Sequence, residues 1–319
     1  MHIRFKLSVI FLRKRIKFVL DNNIVLLYNE NVEIKLKSKL LEDNDMNKIG
    51  AIISLRADTD VFDEFKRAHD IGCECCQITV WDMSLYTDEK AREIAEASKK
   101  YEVEISTLWV GWSGPREWNF TGGPMTLGIV PEAYRMKRME EILQGADFAV
   151  KLGVPRIATH AGFLPENIND PQYYPLLAAL KYIAKECKNR GLCFLFETGQ
   201  ETPVTLLRFI ENMGLDNVGI NMDTANLILY GKANSADAIS VFGKYVMDTH
   251  IKDGLYPTCG RLLGKEVKVG EGMANIPEVV KRLKAVNYTG NYIIEREISG
   301  EQQTRDIVET IEFLKGILG

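Results

Sequence analysis

A repeated pattern, in which a short apolar run ends in a carboxylate or a histidine, constrains the fold of this chain more than any other feature. The run at residues 194–196 is followed at once by Glu197, and the pattern recurs at residues 218–223, 246–250 and 292–295. Apolar runs of this length are typical of parallel strands that are buried on both faces. Because a buried carboxylate without a partner is unstable, each one predicts a side chain that is ion-paired, hydrogen-bonded or bound to a metal.

From Met46 onward, such runs alternate with segments of helical periodicity. The predicted strands are residues 49–55, 76–81, 103–109, 156–160, 192–197, 218–223, 246–250 and 292–297. The predicted helices are residues 60–70, 87–101, 131–152, 173–190, 203–213, 236–242, 276–286 and 302–318. Strand and helix units in this number and order predict an α/β fold, a (β/α)8 TIM barrel. A doubly wound open sheet is disfavoured, because neither a G-x-G-x-x-G motif nor a P-loop follows the first strand.

The first 45 residues differ from the rest of the chain in charge. They carry nine Lys and Arg against six Asp and Glu, although the whole chain has a formal net charge of -4. Charged side chains interrupt every apolar run between Met1 and Tyr28, so no run reaches the length of a signal-peptide core or a membrane span. We therefore expect residues 1–45 to be an N-terminal extension outside the fold, and residues 46–319 to form the barrel.

The composition excludes several classes of partner. A net charge of -4 and a pI near 5.8 provide no basic face of the kind that binds nucleic acid, so we expect neither a nucleic acid nor a membrane partner. Among the six cysteines, Cys73 and Cys76 have the C-x-x-C spacing, but no second pair or nearby histidine completes a zinc site. Reduced thiols in a cytoplasmic protein are the expectation.

The strand ends predict a metal site. In a TIM barrel the carboxyl ends of all strands meet at one rim, so Glu197, Asp223, His250 and Glu295 should converge there. Three carboxylates and one imidazole suit one divalent metal ion, with Mn²⁺ or Mg²⁺ favoured and Zn²⁺ or Co²⁺ as alternatives. His160 ends the fourth predicted strand and should face the same cavity, either as a donor to a substrate or as a packed histidine.

Aromatic residues mark the opposite part of the predicted rim. Trp81, Trp109, Trp112 and Trp118 lie at the ends of the second and third predicted strands and in the long loop at residues 111–130. A loop of this length is typical of a functional βα loop. Tryptophan side chains suit the apolar face of a sugar, although a cap over the core would use the same residues.

Several short motifs together resemble one family. They are ETGQET at 197–202, MDTAN at 222–226, THIKD at 249–253, VGEG at 269–272 and IERE at 294–297. With them, residues 46–319 resemble the xylose isomerase-like TIM-barrel superfamily, in particular its sugar phosphate isomerase/epimerase branch. In ketose 3-epimerases of this branch, the matching Glu, Asp, His and Glu bind one divalent ion, and the two glutamates also move protons. The resemblance therefore implies metal binding by Glu197, Asp223, His250 and Glu295, and acid/base roles for Glu197 and Glu295.

The same resemblance leaves the substrate open. Ketose 3-epimerases commonly have a histidine where this chain has Asn226, and an arginine shortly after the metal-binding histidine, whereas here none occurs before Arg261. We expect contacts with the substrate from five residues, namely His160, Glu201, Asn226, Trp109 and Lys252. The expected partner is a small-molecule sugar or sugar phosphate, and a homo-oligomer is compatible with the family.

These observations predict a sugar or sugar phosphate isomerase/epimerase that uses a divalent metal and transfers a proton through an enediolate. A metal-dependent dehydratase of the inosose or dehydroshikimate type is an alternative, since it would use a similar intermediate and lose a hydroxide. A non-catalytic sugar-binding barrel is a second alternative. The DNA-repair endonucleases of the superfamily are disfavoured, because they need more histidines and a basic groove.

Overall fold

The computed structural model describes residues 8–12, 15–20, 23–26 and 47–319. The chain divides into two compact units, Met1–Met46 and Asn47–Gly319. In the first unit, an antiparallel sheet contains three strands in chain order, β1 (Ser8–Leu12), β2 (Arg15–Leu20) and β3 (Asn23–Leu26). The rest of that unit lies outside the described residues, and the expectation that residues 1–45 are an extension outside the barrel stays a prediction.

The second unit is a closed barrel of eight parallel strands. Its strands are β4 (Ile49–Leu55), β5 (Cys75–Val80), β6 (Glu104–Val110), β7 (Arg156–Thr159), β8 (Cys193–Glu197), β9 (Val218–Asp223), β10 (Val246–Ile251) and β13 (Tyr292–Ile294). Strands β11 (Asp253–Leu255) and β12 (Lys265–Val267) form a separate antiparallel hairpin between β10 and β13. The predicted TIM barrel is confirmed.

Helices follow the barrel strands along the chain. They are α1 (Val61–Asp70), α2 (Asp88–Tyr101), α3 (Gly123–Thr126), α4 (Glu132–Leu152), α5 (Tyr173–Asn189), α6 (Pro203–Met213), α7 (Asn226–Leu229), α8 (Ser235–Phe242), α9 (Ile276–Ala285) and α10 (Glu301–Leu318). Local sequence explains their ends. Asp60 caps α1 through the backbone N–H of Asp63, and Thr87 caps α2 through that of Lys90. Helix α4 stops at Gly153, whose φ of 72° is in the left-handed region that favours glycine.

Successive side chains of a strand point alternately to the outer and the inner face of the barrel, and this alternation places polar side chains inside it. Phe194 and Phe196 of β8 pack in the large core between strands and helices, whereas Leu195 packs with Trp109 and Ala158 in a second cluster. Because side chains two residues apart in a strand share a face, Glu197 lies on the same face as Leu195. The strand therefore delivers its terminal carboxylate to the inner face of the barrel.

The last barrel strand is shorter than predicted. We expected a strand at residues 292–297, but β13 ends at Ile294. The backbone N–H of Glu295 still donates to the carbonyl of Ile251 at 3.1 Å, so the ladder extends one hydrogen bond further. Beyond it the chain leaves the sheet, and the Arg296 guanidinium donates to Asp306 of α10 at 2.8 Å.

Two further findings concern the sequence predictions. Within the described part of the chain, no helix is long and apolar enough to cross a membrane. All six cysteines have free thiols, and the C-x-x-C pair, Cys73 and Cys76, is buried at the amino end of β5. Burial raises the pKa of the Cys73 thiol to about 12, which keeps it protonated.

Candidate functional site

Four strand ends bring metal-capable atoms together at the carboxyl end of the barrel. Glu197, Asp223, His250 and Glu295 each offer one such atom, and these atoms all lie within 4.8 Å of one another. His250 Nδ1 is 3.2 Å from Glu197 Oε1 and 3.4 Å from Glu295 Oε2. It is 3.8 Å from Asp223 Oδ2. Three carboxylates and one ring nitrogen therefore face a common point.

The electrostatics of this acidic cluster favour a positive charge at its centre. Burial lowers the pKa of His250, but the carboxylates of Glu197 and Glu295 outweigh it and hold that pKa well above its usual value. Burial raises the pKa of Asp223 well above its usual range, and the negative charges of Glu295 and Glu197 add to the effect. The cluster thus attracts cations, whether as protons or as a metal ion.

Asp223 has one oxygen in use and one free for a ligand. Its Oδ1 accepts hydrogen bonds from the backbone N–H groups of Ala225 and Asn226, both at 2.7 Å. Its Oδ2 is buried and has no hydrogen-bond partner among the described residues. A buried carboxylate oxygen without a donor is unfavourable unless a cation binds it. This observation and the oxygen-rich donor set fit a hard divalent ion.

Lys252 supplies the nearest permanent cation. Its side chain is buried, and its Nζ donates to Glu295 Oε2 at 3.1 Å and to Glu297 Oε1 at 2.7 Å. The ammonium is also 3.7 Å from Asp223 Oδ2. Burial opposes the charged form, but the carboxylates of Glu295 and Glu297 hold the pKa of Lys252 well above its usual value. Lys252 thus remains charged and holds Glu295 in position.

Glu197 is oriented by three side chains from other parts of the barrel. The indole N–H of Trp109 donates to its Oε2. The Asn226 amide donates to its Oε1 at 3.3 Å, and His160 Nε2 is 3.4 Å from the same oxygen. Burial raises the pKa of Glu197, but His160 and His250 outweigh it and bring that pKa below the usual value. The carboxylate is therefore fixed in one direction.

A cavity of about 420 Å³ opens above this cluster. One wall is aromatic and contains Trp81, Trp109 and Trp118. The ring centres of Trp81 and Trp109 are 5.0 Å apart, and that of Trp118 is 5.2 Å from the ring centre of His160. Trp112 is fully buried behind this wall. The sequence left open whether the tryptophans form a cavity wall or cover the core. Three of them line the cavity, and Trp112 is packed in the interior.

The comparison with known families agrees with this architecture. Residues 65–317 match the family model described as "Xylose isomerase-like TIM barrel". The chain belongs to this family.

Several solved structures share its fold. A xylose isomerase domain protein from Planctomyces limnophilus is 29% identical, with a TM-score of 0.79 over 85% of this chain and 97% of that one. An L-ribulose 3-epimerase is 18% identical, with a TM-score of 0.65 over 86% of this chain and 95% of that one. A xylose isomerase-like barrel from Mycobacterium smegmatis, in complex with magnesium, is 16% identical, with a TM-score of 0.65 over 86% of this chain and 97% of that one.

A curated relative matches a shorter part of the chain. An uncharacterized protein of Methanocaldococcus jannaschii is 24% identical over 202 residues, which is 59% of this chain. The match spans 64% of the length of that relative.

Within this xylose isomerase-like barrel, the residues expected to contact a substrate fall into two groups. His160, Asn226 and Trp109 line the cavity, and Lys252 lies beneath it against Glu295. Glu201 is buried but is not among the described residues that line the cavity; it accepts a hydrogen bond from the backbone N–H of Gly199 at 3.3 Å. Burial raises the pKa of Glu201 to about 7.

Sequence reasoning missed other residues of this family member's cavity. The guanidinium of Arg116 lies 4.4 Å from the ring centre of Trp81, and Gln200, Tyr230 and Glu297 also line the cavity. Gln200 and Glu297 belong to the ETGQET and IERE motifs, so their position in these motifs could have identified them as residues of the site. Arg116 and Tyr230 follow no strand directly, and no local pattern distinguishes them.

Proposed function

We propose that this protein is a divalent-metal-dependent sugar or sugar phosphate isomerase/epimerase that moves a proton next to a carbonyl group through an enediolate. The observation that carries the proposal is the acidic cluster of Glu197, Asp223, His250 and Glu295 at the floor of a cavity with a tryptophan wall. Similarity to an L-ribulose 3-epimerase supports the same reaction class.

Glu197, Asp223, His250 and Glu295 would hold the metal ion in this proposal. Their donor set suits Mn²⁺ or Mg²⁺, and a similar barrel has been solved in complex with magnesium. When bound, such an ion supplies Lewis acidity, which lowers the pKa of a C–H bond next to a carbonyl.

The two glutamates would carry the proton transfer. One carboxylate accepts the proton from the carbon beside the carbonyl, and the electron pair of the C–H bond moves toward the carbonyl oxygen to give the enediolate. The other glutamate, in its protonated form, returns a proton to carbon. Hydrogen bonds from Trp109 and Asn226 hold Glu197, and the ammonium of Lys252 holds Glu295. Both carboxyl groups are thus oriented before a substrate binds.

The positions of the glutamates favour epimerisation within this class. Glu197 ends β8 and Glu295 follows β13, and in the barrel these strands are separated by β9 and β10. The two carboxylates therefore reach the centre from different sides. An epimerase needs that arrangement, because it removes a proton on one face of the enediolate and adds one on the other.

The Glu295→Gln substitution tests the proposal directly. We expect wild-type protein loaded with Mn²⁺ to introduce deuterium beside the carbonyl of a ketose in deuterated water, with formation of an epimer. The amide cannot take up or deliver the proton, so exchange by Glu295→Gln should fall by about 100-fold or more. Proton NMR of D-fructose, D-tagatose, D-psicose and their phosphate esters measures both the exchange and the product.

Glu211→Gln is the matched control, because Glu211 is exposed on the outer helix α6. It should exchange at the wild-type rate. Exchange with an unsaturated or deoxy product, measured on cyclic polyol ketones, would move the assignment to a dehydratase. Absence of exchange with every compound, despite stoichiometric metal binding, would refute the epimerase assignment and favour a sugar-binding barrel.

A further inference from the structure

One wall of the cavity carries buried polar atoms that no protein group satisfies. Both side-chain polar atoms of Gln200, the hydroxyl of Tyr230 and Nδ1 of His160 have no hydrogen-bond partner among the described residues. Gln200 is only 1% exposed, and Tyr230 and His160 are each 5% exposed. All three residues line the cavity above the acidic cluster. Buried polar groups in native proteins are normally hydrogen-bonded, so this concentration points to a ligand.

The three residues of this wall are close together. A Cβ at Gly199, next to Gln200, would be in ordinary van der Waals contact with both neighbours, 3.5 Å from His160 Cε1 and 3.8 Å from Tyr230 Cδ2. Two aromatic rings meet the Tyr230 ring nearly at right angles, with centre distances of 6.1 Å for Phe120 and 5.7 Å for Phe163. The phenol is therefore held by packing and does not depend on a hydrogen bond for its direction.

We propose that Gln200 and Tyr230, with His160 beside them, form a subsite for hydroxyl groups of an uncharged sugar and thereby determine specificity. This inference rests on the proposed function, since it concerns the substrate of the same site. An amide and a phenol each donate and accept hydrogen bonds, and a sugar hydroxyl does the same. The matching of donors and acceptors is the chemical basis of the assignment.

The charges around the cavity argue against a phosphate at this subsite. Arg116 is the one arginine or lysine among the described residues that line the cavity, and it stacks on Trp81 in the aromatic wall. The ammonium of Lys252 is held by Glu295 and Glu297. A phosphate near Gln200 would thus meet neutral groups and nearby carboxylates, whereas phosphate sites usually offer Arg, Lys or several backbone N–H groups.

The test pairs substitutions in the protein with deletions of hydroxyl groups in the ligand. The probes are D-fructose, D-tagatose, D-psicose, the 1-, 4- and 6-deoxy analogues of D-fructose, and D-fructose 6-phosphate, each titrated calorimetrically into Mn²⁺-loaded protein. The variants are Gln200→Leu and Tyr230→Phe, with Gln200→Met as a second, flexible replacement if the leucine variant does not fold. Tyr182→Phe is the matched control, because Tyr182 is exposed on the outer helix α5.

For wild type, we expect one deoxy analogue to bind about 10-fold more weakly than D-fructose, because it leaves buried polar groups without partners. In Gln200→Leu or Tyr230→Phe this ratio should fall to near 1, since the partner of that hydroxyl is gone. The Tyr182→Phe control should keep the wild-type ratio. A merely structural role would weaken all ligands together and leave the ratio unchanged.

Three results would overturn the inference. The first is that Gln200→Leu and Tyr230→Phe lose affinity for D-fructose and for all its analogues by the same factor. The second is that wild type binds D-fructose 6-phosphate more tightly than D-fructose. The third is that wild type binds none of D-fructose, D-tagatose and D-psicose. Because the titration does not depend on turnover, it separates this inference from the proposed function. If one deoxy analogue binds more weakly than D-fructose but no deuterium exchange occurs, the subsite is supported and the isomerase assignment is refuted. If exchange occurs but all deoxy analogues bind as tightly as D-fructose, the isomerase assignment is supported and the subsite is refuted.

Discussion

At the scale of single residues, Gln77 determines which nitrogen of His250 faces the acidic cluster. The Gln77 amide nitrogen donates to Asn221 Oδ1 at 2.8 Å, which turns its Oε1 toward His250 Nε2, also at 2.8 Å. Asn221 Nδ2 is farther from the same ring nitrogen, at 3.1 Å. The shorter contact is with an acceptor, so Nε2 carries a hydrogen, and Nδ1, which faces the carboxylates, would bind a metal ion after losing its own proton.

Removing this acceptor should weaken metal binding. We expect Gln77→Leu to lower the affinity for Mn²⁺ by about 10-fold, because the ring loses the hydrogen bond that fixes its tautomer and orientation. Gln77→Glu keeps an acceptor at the same place, so its affinity for Mn²⁺ should fall by less than that of Gln77→Leu. Calorimetric titration with Mn²⁺ measures both, and Gln144→Leu on the exposed surface of α4 serves as the control. Unchanged affinity in Gln77→Leu would contradict the proposed role.

Residues differed in how far the sequence could identify them. Glu197 and Asp223 stand out because a carboxylate directly after an apolar run is visible within one strand, and the structure brings both into the acidic cluster. Gln77 lies in the middle of β5, where nothing local distinguishes it from any strand residue. Its contact with His250 exists only because closure of the barrel brings β5 and β10 together across the interior.

At the scale of elements, one aspartate organises the long connection between β10 and β13. Asp253 Oδ1 accepts hydrogen bonds from the backbone N–H groups of Gly254 and Ala274, and Oδ2 accepts from those of Gly270 and Gly272, all at 2.8–3.0 Å. Gly270 has a φ of +93°, and a Cβ at Gly272 would lie 2.2 Å from Asp253 Oδ1. Both glycines of the VGEG motif are therefore required by backbone geometry.

Asp253→Asn should destabilise this connection. The asparagine amide would present N–H groups to backbone donors, so at least one buried donor loses its acceptor. We expect the free energy of unfolding to fall by about 2–3 kcal/mol. Urea denaturation measures the change, and Asp58→Asn, at an exposed aspartate, should stay within about 0.5 kcal/mol of wild type. Equal stability of the Asp253 and Asp58 variants would show that other contacts hold the loop.

The same connection contains secondary structure that the sequence did not predict. The barrel strands and outer helices were predicted to within one or two residues, apart from the end of β13, because apolar runs and helical periodicity mark them. Residues 252–275 lie outside every predicted strand and helix, yet they contain the hairpin of β11 and β12. Strands of three residues and helices of four, such as α3 and α7, are too short for a period to be recognised.

At the scale of the whole molecule, the proposed chemistry depends on closure of the barrel. The four residues of the acidic cluster come from or directly follow β8, β9, β10 and β13, which are consecutive in the barrel. The opposite strands β5 and β6 lead to the tryptophan wall. The acidic cluster and the tryptophan wall come from strands on opposite sides of the barrel, so they face each other only when the barrel has closed. We therefore expect the site to form cooperatively with the fold.

The acidic cluster belongs to the unit Asn47–Gly319, and so do all members of the large hydrophobic core among the residues whose burial is described. We therefore propose that residues 46–319 fold and bind metal without residues 1–45. Scanning calorimetry and Mn²⁺ titration of a 46–319 variant should give a melting temperature within about 2 °C of the full chain, because a loss of only 1 kcal/mol would already shift a protein of this size by about that amount. A clearly lower melting temperature, or weaker Mn²⁺ binding, would assign the first 45 residues a structural role in the barrel.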